Sequence, residues 1–160
     1  MGEERQMKIS IGCDELGIEL KEMIIGTFSK RGYEFWDAGV LKGEKTNYPS
    51  VAYRAVKKMT QGDCERCILI CGTGIGMALT ANKIKGAYAA VCHDIYSTQR
   101  SILSNNANTM CLGALVIGPK TAETLVDIWL GLTFDPASRS YEKVQEIYDI
   151  EAGKFGSKHD

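Results

Sequence analysis

No apolar run in this 160-residue chain approaches the ~20 residues that a membrane helix requires, so no membrane partner is expected. Nor is there an excess of charge of one sign. Nineteen Lys and Arg face twenty Asp and Glu, the net charge is −1, and no basic stripe stands out, which argues against nucleic acid as a partner. Histidine is scarce, with only His93 and His159. The opening residues Met1–Gln6 carry no hydrophobic segment of the kind a signal peptide needs. A cytoplasmic location is therefore expected, and Met7 is an alternative start.

Six cysteines are present: Cys13, Cys64, Cys67, Cys71, Cys92 and Cys111. Most sit in or beside apolar strand-like runs, so reduced thiols are expected rather than disulfides. Cys64 and Cys67 have C-x-x-C spacing, but only Cys71 follows closely, too few ligands for a zinc knuckle. No metal is expected. Apolar residues make up 44% and charged residues 24%, an ordinary globular balance. The length suits one domain with a sizeable core, spanning 1–160, with 1–6 an extension and 152–160 a charged tail.

Short apolar runs alternate with amphipathic stretches along the chain. Strands are predicted at Lys8–Gly12, Tyr33–Asp37, Arg66–Ile70, Ala87–Cys92 and Thr109–Leu115. Helices are predicted at Glu15–Arg31, with Leu16, Leu20, Met23, Ile24 and Phe28 on one face, and from Tyr48-Pro49 to about Met59, where Pro49 suits the first turn. Further helices are predicted at Gly76–Lys83, Tyr96–Asn105, Lys120–Leu132 and Arg139–Glu151. Strands too apolar to face water on either side imply a parallel sheet covered on both faces. The fold class is α/β: a Rossmann-like three-layer αβα sandwich around five parallel strands. Ligands of such folds lie at the carboxyl ends of the strands. That gives weight to Asp14, to Cys71–Gly76 and to His93-Asp94.

The stretch Cys71-Gly72-Thr73-Gly74-Ile75-Gly76 is the most informative. Glycines at 72, 74 and 76 at a strand–helix junction let backbone amides turn inward as an anion site. It has neither the Gly-Lys-Ser/Thr ending of a nucleotide P-loop nor G-x-G-x-x-G spacing. The competing role is a tight turn without ligand. A thiol placed like Cys71, near a helix N-terminus, is activated as a base or nucleophile. The other five cysteines read as buried apolar residues. Asp14 either accepts from sugar hydroxyls or caps the following helix. Asn105, Asn106 and Asn108 either bind hydroxyls or make turns. His93 reads as a solvent-facing residue at a strand end.

These residues together resemble the ribose-5-phosphate isomerase type B family, which includes the galactose-6-phosphate isomerase subunits. The resemblance rests on Ile11–Asp14, Asn47–Pro49, Ile70–Met77, Ala81–Lys83, Tyr96-Ser97, Asn105–Asn108 and Leu112-Gly113, in family order over nearly the whole chain. It implies an aldose–ketose isomerase of a phosphorylated sugar, without metal or organic cofactor. It also implies a homodimer or dimer of dimers with active sites shared between subunits. On this resemblance Cys71 is the base that moves a proton between C1 and C2. Thr73 and the amides of Gly72, Gly74, Ile75 and Gly76 hold the enediolate, and Asp14, Tyr48 and Asn105 bind the sugar.

The chain departs from the family pattern in four places. The Asp-His pair after strand one is Asp14-Glu15, with Glu15 taking over part of the polar contact. The ring-opening histidine is Ser104, and a phosphate-reaching arginine is Leu115. The C-terminal basic pair survives as Arg139 and Lys143, the remaining phosphate contacts, with Arg100 in support. An unactivated hydroxyl is a poor base at neutral pH. A substrate that needs no ring opening is therefore expected, with a tetrose or tetrulose 4-phosphate first, because it has no free hydroxyl placed to close a five-membered ring. The alternative is a subunit of a hetero-oligomeric isomerase of the galactose-6-phosphate type, with little activity alone. A plain phosphate-binding module is the third reading, disfavoured by the Cys71–Thr73 pair.

Overall fold

The computed structural model describes residues 6–155; His159 and the ends of both predicted tails lie outside them. Five strands form one parallel sheet: β1 (Lys8–Cys13), β2 (Glu34–Asp37), β3 (Arg66–Cys71), β4 (Ala89–Val91) and β5 (Thr109–Gly113). Their spatial order is β2-β1-β3-β5-β4. The chain therefore reverses its direction of winding between β1 and β3, which opens a crevice at their carboxyl ends. The helices are α1 (Ile18–Ser29), α2 (Tyr48–Thr60), α3 (Ile75–Ala81), α4 (Ile95–Leu103), α5 (Pro119–Gly131) and α6 (Tyr141–Glu151). The expected α/β architecture is present.

The central strands carry the core. Ile9 and Ile11 on β1, Ile68, Leu69 and Ile70 on β3, and Met110 and Leu112 on β5 are fully buried. Each such side chain contributes about 1.5–3 kcal/mol relative to exposure. Helix α2 covers one face through Val51, Ala52, Ala55 and Val56, and α5 covers the other through Leu125, Val126 and Trp129. Burial of all five strands on both sides does not hold. On the edge strand β2, Glu34 and Asp37 are exposed, and β4 is only half-buried. An edge strand has one neighbour, so a shorter, more polar sequence suffices there.

Leu16 is also not where its spacing predicts. Residues Glu15–Gly17 form a 3-10 turn, because the Asp14 carboxylate accepts the Leu16 N–H at 3.0 Å, and the α-helix starts only at Ile18. Leu16 is left 52% exposed, while Leu20, Ile24 and Phe28 are buried as expected. Lys21, one of the few polar side chains in the interior, is paired. Its ammonium donates to both Asp37 oxygens at 2.7 and 2.9 Å and to the Val40 carbonyl at 3.1 Å. This ties the segment after β2 to α1. That segment leads into the loop facing the crevice.

Candidate active site

Cys71 ends β3 and is 5% exposed. The Gly74 N–H donates to its Sγ at 3.1 Å, so the loop folds back over the sulfur. Gly74 has φ +78°, and a Cβ there would stand 3.0–3.2 Å from the Leu112 backbone. Only glycine combines that dihedral with so close an approach. The Thr73 hydroxyl accepts the Ile75 N–H at 3.3 Å, at the start of α3. Two of the amides expected to face a ligand, those of Gly74 and Ile75, are thus engaged inside the loop. The first of them donates to the sulfur.

The loop is moulded on the exit of β5. Ala114 N–H donates to Cys71 C=O at 2.8 Å, and Leu115 N–H to Gly72 C=O at 3.0 Å. A Cβ on Gly113 would lie 2.8 Å from the Thr73 backbone, so the two segments touch main chain to main chain. The Tyr48 ring, at the start of α2, lies against Gly76, where a Cβ would come within 2.6–2.8 Å of Cζ, Cε2 and Oη. The methyls of Leu16 and Leu115 approach Gly72 to 3.1 and 3.4 Å from its Cβ direction, and both leucines are exposed.

Asp14 sits beside this loop, its N–H donating to the Ile70 carbonyl at 3.1 Å. Its carboxylate makes the capping bond to Leu16, and burial holds its pKa above the ordinary range against that bond. Capping is therefore realised. Glu15 is exposed and lines a cleft of about 520 Å³ with Gly43–Asn47. His93 is not solvent-facing as expected. Its Nε2 accepts the Gly113 N–H at 2.8 Å, and burial lowers its pKa, opposed by Asp94. Burial pushes the Cys13 thiol up to about 11 and Cys67 up to about 12, and raises Cys64, Cys92 and Cys111. Those five fit their reading as apolar residues.

Ser104, Asn105, Arg139 and Lys143 are not brought to Cys71 within one chain. Helix α4 runs back across the sheet, so Ser104 and Asn105 at its end lie near the amino ends of β4 and β5. There Asn105 Nδ2 donates to Arg100 C=O at 3.1 Å. Asn106 Nδ2 donates to Tyr148 Oη, and Asn108 accepts the Tyr88 N–H at 2.8 Å and donates to Gly86 C=O, so both side chains are engaged in contacts with distant segments. Helix α6, which begins just after Arg139 and contains Lys143, docks on the same edge through Tyr148 and Glu151. Among the described residues no cluster of His, Cys, Asp or Glu could hold a metal ion. No helix among them is long and apolar enough to cross a membrane.

The sequence placed His93 near the strand ends but facing solvent, put Leu16 on the buried helix face, and did not mark Lys21, which the structure buries against Asp37 beneath the segment leading to the site. For His93 the available signal was its position just past a strand end.

Known proteins are similar to this chain in sequence and fold. The chain is 49% identical over 145 residues to ribose-5-P isomerase B of Listeria innocua, spanning 91% of this chain and 97% of that one. It is 46% identical over 144 residues to D-erythrulose-4-phosphate isomerase 2 of Mycolicibacterium smegmatis, spanning 88% and 95%. The solved structure of ribose-5-phosphate isomerase B of Clostridium thermocellum superposes with a TM-score of 0.87 at 39% identity, over 92% of this chain and 99% of that one. The sequence model of the ribose/galactose isomerase family matches residues 9–147, and the chain belongs to that family.

Proposed function

We propose that this protein is an aldose–ketose isomerase of a small phosphorylated sugar, with Cys71 as the base. The observation that carries the assignment is the Cys71 thiol at the mouth of the glycine loop, clasped by the Gly74 amide. As thiolate, the sulfur takes the proton from the carbon next to the sugar carbonyl, and the electron pair of that bond moves to the carbonyl oxygen. The resulting enediolate is held by Thr73 and the amides of Gly72 and Gly76, because a proton α to a carbonyl becomes removable only when the oxyanion is stabilised. The hydroxyl proton on the neighbouring oxygen then passes to the former carbonyl oxygen, the thiol returns its proton to the former carbonyl carbon, and the second oxygen becomes the new carbonyl. No metal or organic cofactor enters this cycle.

A tetrulose or tetrose 4-phosphate is the substrate. Ser104 cannot supply the base for opening a ring, and a relative named for D-erythrulose 4-phosphate stands almost level in identity with one named for ribose 5-phosphate. Asp14, Glu15 and Tyr48 line the sugar end. Ser104, Asn105, Arg139 and Lys143 reach it from a second subunit. The first group lies at the carboxyl ends of β1 and β3 and the second toward the amino ends of β4 and β5, a separation that supports a homodimer or dimer of dimers with shared sites. The same separation favours a second reading, in which a paralogous partner supplies the far group. The whole chain acts as one domain, and free buried thiols support a cytoplasmic setting.

The test is turnover by the purified single chain on erythrulose 4-phosphate and ribose 5-phosphate. A higher kcat/KM for the tetrulose supports the assignment. Preference for the pentose refutes the substrate. Turnover that appears only after adding a second subunit selects the paralogous reading.

A further inference from the structure

Strand β4 stops at Val91, opposite Cys111, while β5 runs on to Gly113. Continuing that register puts residue 93 level with Gly113. Alternation along β5 turns the Ala114 N–H toward β3, where it meets Cys71 C=O, and the Gly113 N–H toward the β4 side. There the strand has already ended. The acceptor that a longer β4 would have offered from its backbone is supplied by the His93 side chain, 2.8 Å from the Gly113 nitrogen. A part-buried N–H without a partner costs about 1–3 kcal/mol, so this bond determines where Gly113 sits.

We propose that His93 is a positioning residue for the reaction: its neutral imidazole, accepting through Nε2, pegs the β5 exit against which the Cys71–Gly76 loop is moulded. This rests on the reading of Cys71 as the base. Gly113 touches the Thr73 backbone with no room for a Cβ, and the next two amides bind the carbonyls of Cys71 and Gly72. Displacement of Gly113 is therefore passed to the base and to the groups holding the oxyanion. An acceptor at Nε2 places the ring proton on Nδ1. Burial favours the neutral ring, with Asp94 the charged neighbour opposing it. The segments Cys111–Val116 and Cys71–Gly76 contain no Asp, Glu, Lys, Arg or further His, so their titratable groups are the Cys71 and Cys111 thiols.

Two substitutions separate positioning from bulk. His93→Leu keeps an apolar side chain and removes the acceptor, whereas His93→Gln keeps an acceptor oxygen at similar reach. The expected result is a kcat lowered about 10- to 100-fold in His93→Leu with KM little changed, the scale of a misplaced reacting group. His93→Gln recovers most of that loss. In the wild type, nitrogen NMR of the ring shows the neutral Nδ1–H tautomer at pH 7. The proposal is overturned if His93→Leu turns over like wild type, if His93→Gln is as damaged as His93→Leu, or if the ring carries its proton on Nε2. Should His93→Leu fail to fold, His93→Gln and the ring spectrum still decide. Cys71→Ala, assayed in parallel, tests the underlying reading separately: full turnover there removes the base, whatever the ring spectrum shows.

Discussion

Gly76→Ala sets stability against activity with opposite signs. Gly76 lies in the first turn of α3, and alanine there gains up to about 1 kcal/mol in helix propensity. Against this, the new methyl would stand 2.6 Å from Tyr48 Cζ and 2.8 Å from its Oη. These atoms are the far end of a side chain that is already 40% exposed, so the ring can swing outward. What it forfeits is the contact of one ring face, about 1 kcal/mol for roughly 40 Å² of apolar surface. The two effects nearly cancel, and denaturant unfolding should change by no more than about 1 kcal/mol in either direction. Activity has no such compensation. Tyr48 is displaced from the sugar end of the site, so KM should rise about tenfold, equivalent to one lost hydrogen bond of about 1.4 kcal/mol. Tyr48→Phe should reproduce much of the KM effect without touching α3. Destabilisation beyond about 3 kcal/mol would show that the ring cannot move. An unchanged KM in both variants would remove Tyr48 from the site.

Lys21→Ala should cost about 2–4 kcal/mol by chemical denaturation, because it opens a cavity and leaves Asp37 half-buried without its cation. A loss below about 1 kcal/mol would mean that the pair does not anchor the segment after β2. Asp14→Asn keeps a capping side chain and removes a carboxylate whose folded pKa is raised by burial. A raised carboxylate pKa means that the folded state binds the proton more tightly than the unfolded one. Ionised Asp14 therefore disfavours folding above its folded pKa, and the disadvantage fades as pH falls through that value to the unfolded one. The variant should be the more stable of the two at pH 7 and lose its advantage in acid, while its KM rises. A wild type more stable than Asp14→Asn at pH 7 would contradict this.

The glycine loop was legible in the sequence because its constraint is local. Gly74 must take φ +78° beside the Leu112 backbone, and no other residue does so cheaply. Pro49 marked the start of α2 for the same kind of reason, a fixed φ in a first turn. What escaped reading depends on partners distant in sequence. His93 acts on Gly113, and that contact exists only once β4 and β5 are paired. Lys21 reads as a solvated helix residue until Asp37 arrives from β2. Leu16 kept the helical spacing but not the helix, since Asp14 diverted the backbone into a 3-10 turn. The family resemblance named Ser104, Asn105, Arg139 and Lys143 in the same site as Cys71, and no periodicity in the sequence shows that within one chain Ser104 and Asn105 fall near the amino ends of β4 and β5.

The most direct test of Cys71 as the base is proton NMR of erythrulose 4-phosphate in D₂O with wild type and Cys71→Ala at equal concentration. The wild type should interconvert the aldose and ketose and carry solvent deuterium into the carbon-bound position next to the carbonyl. Cys71→Ala, with its circular dichroism unchanged, should lose both interconversion and exchange by at least ~10²-fold, the scale of general base catalysis. A folded Cys71→Ala that isomerises and exchanges at the wild-type rate would contradict the account.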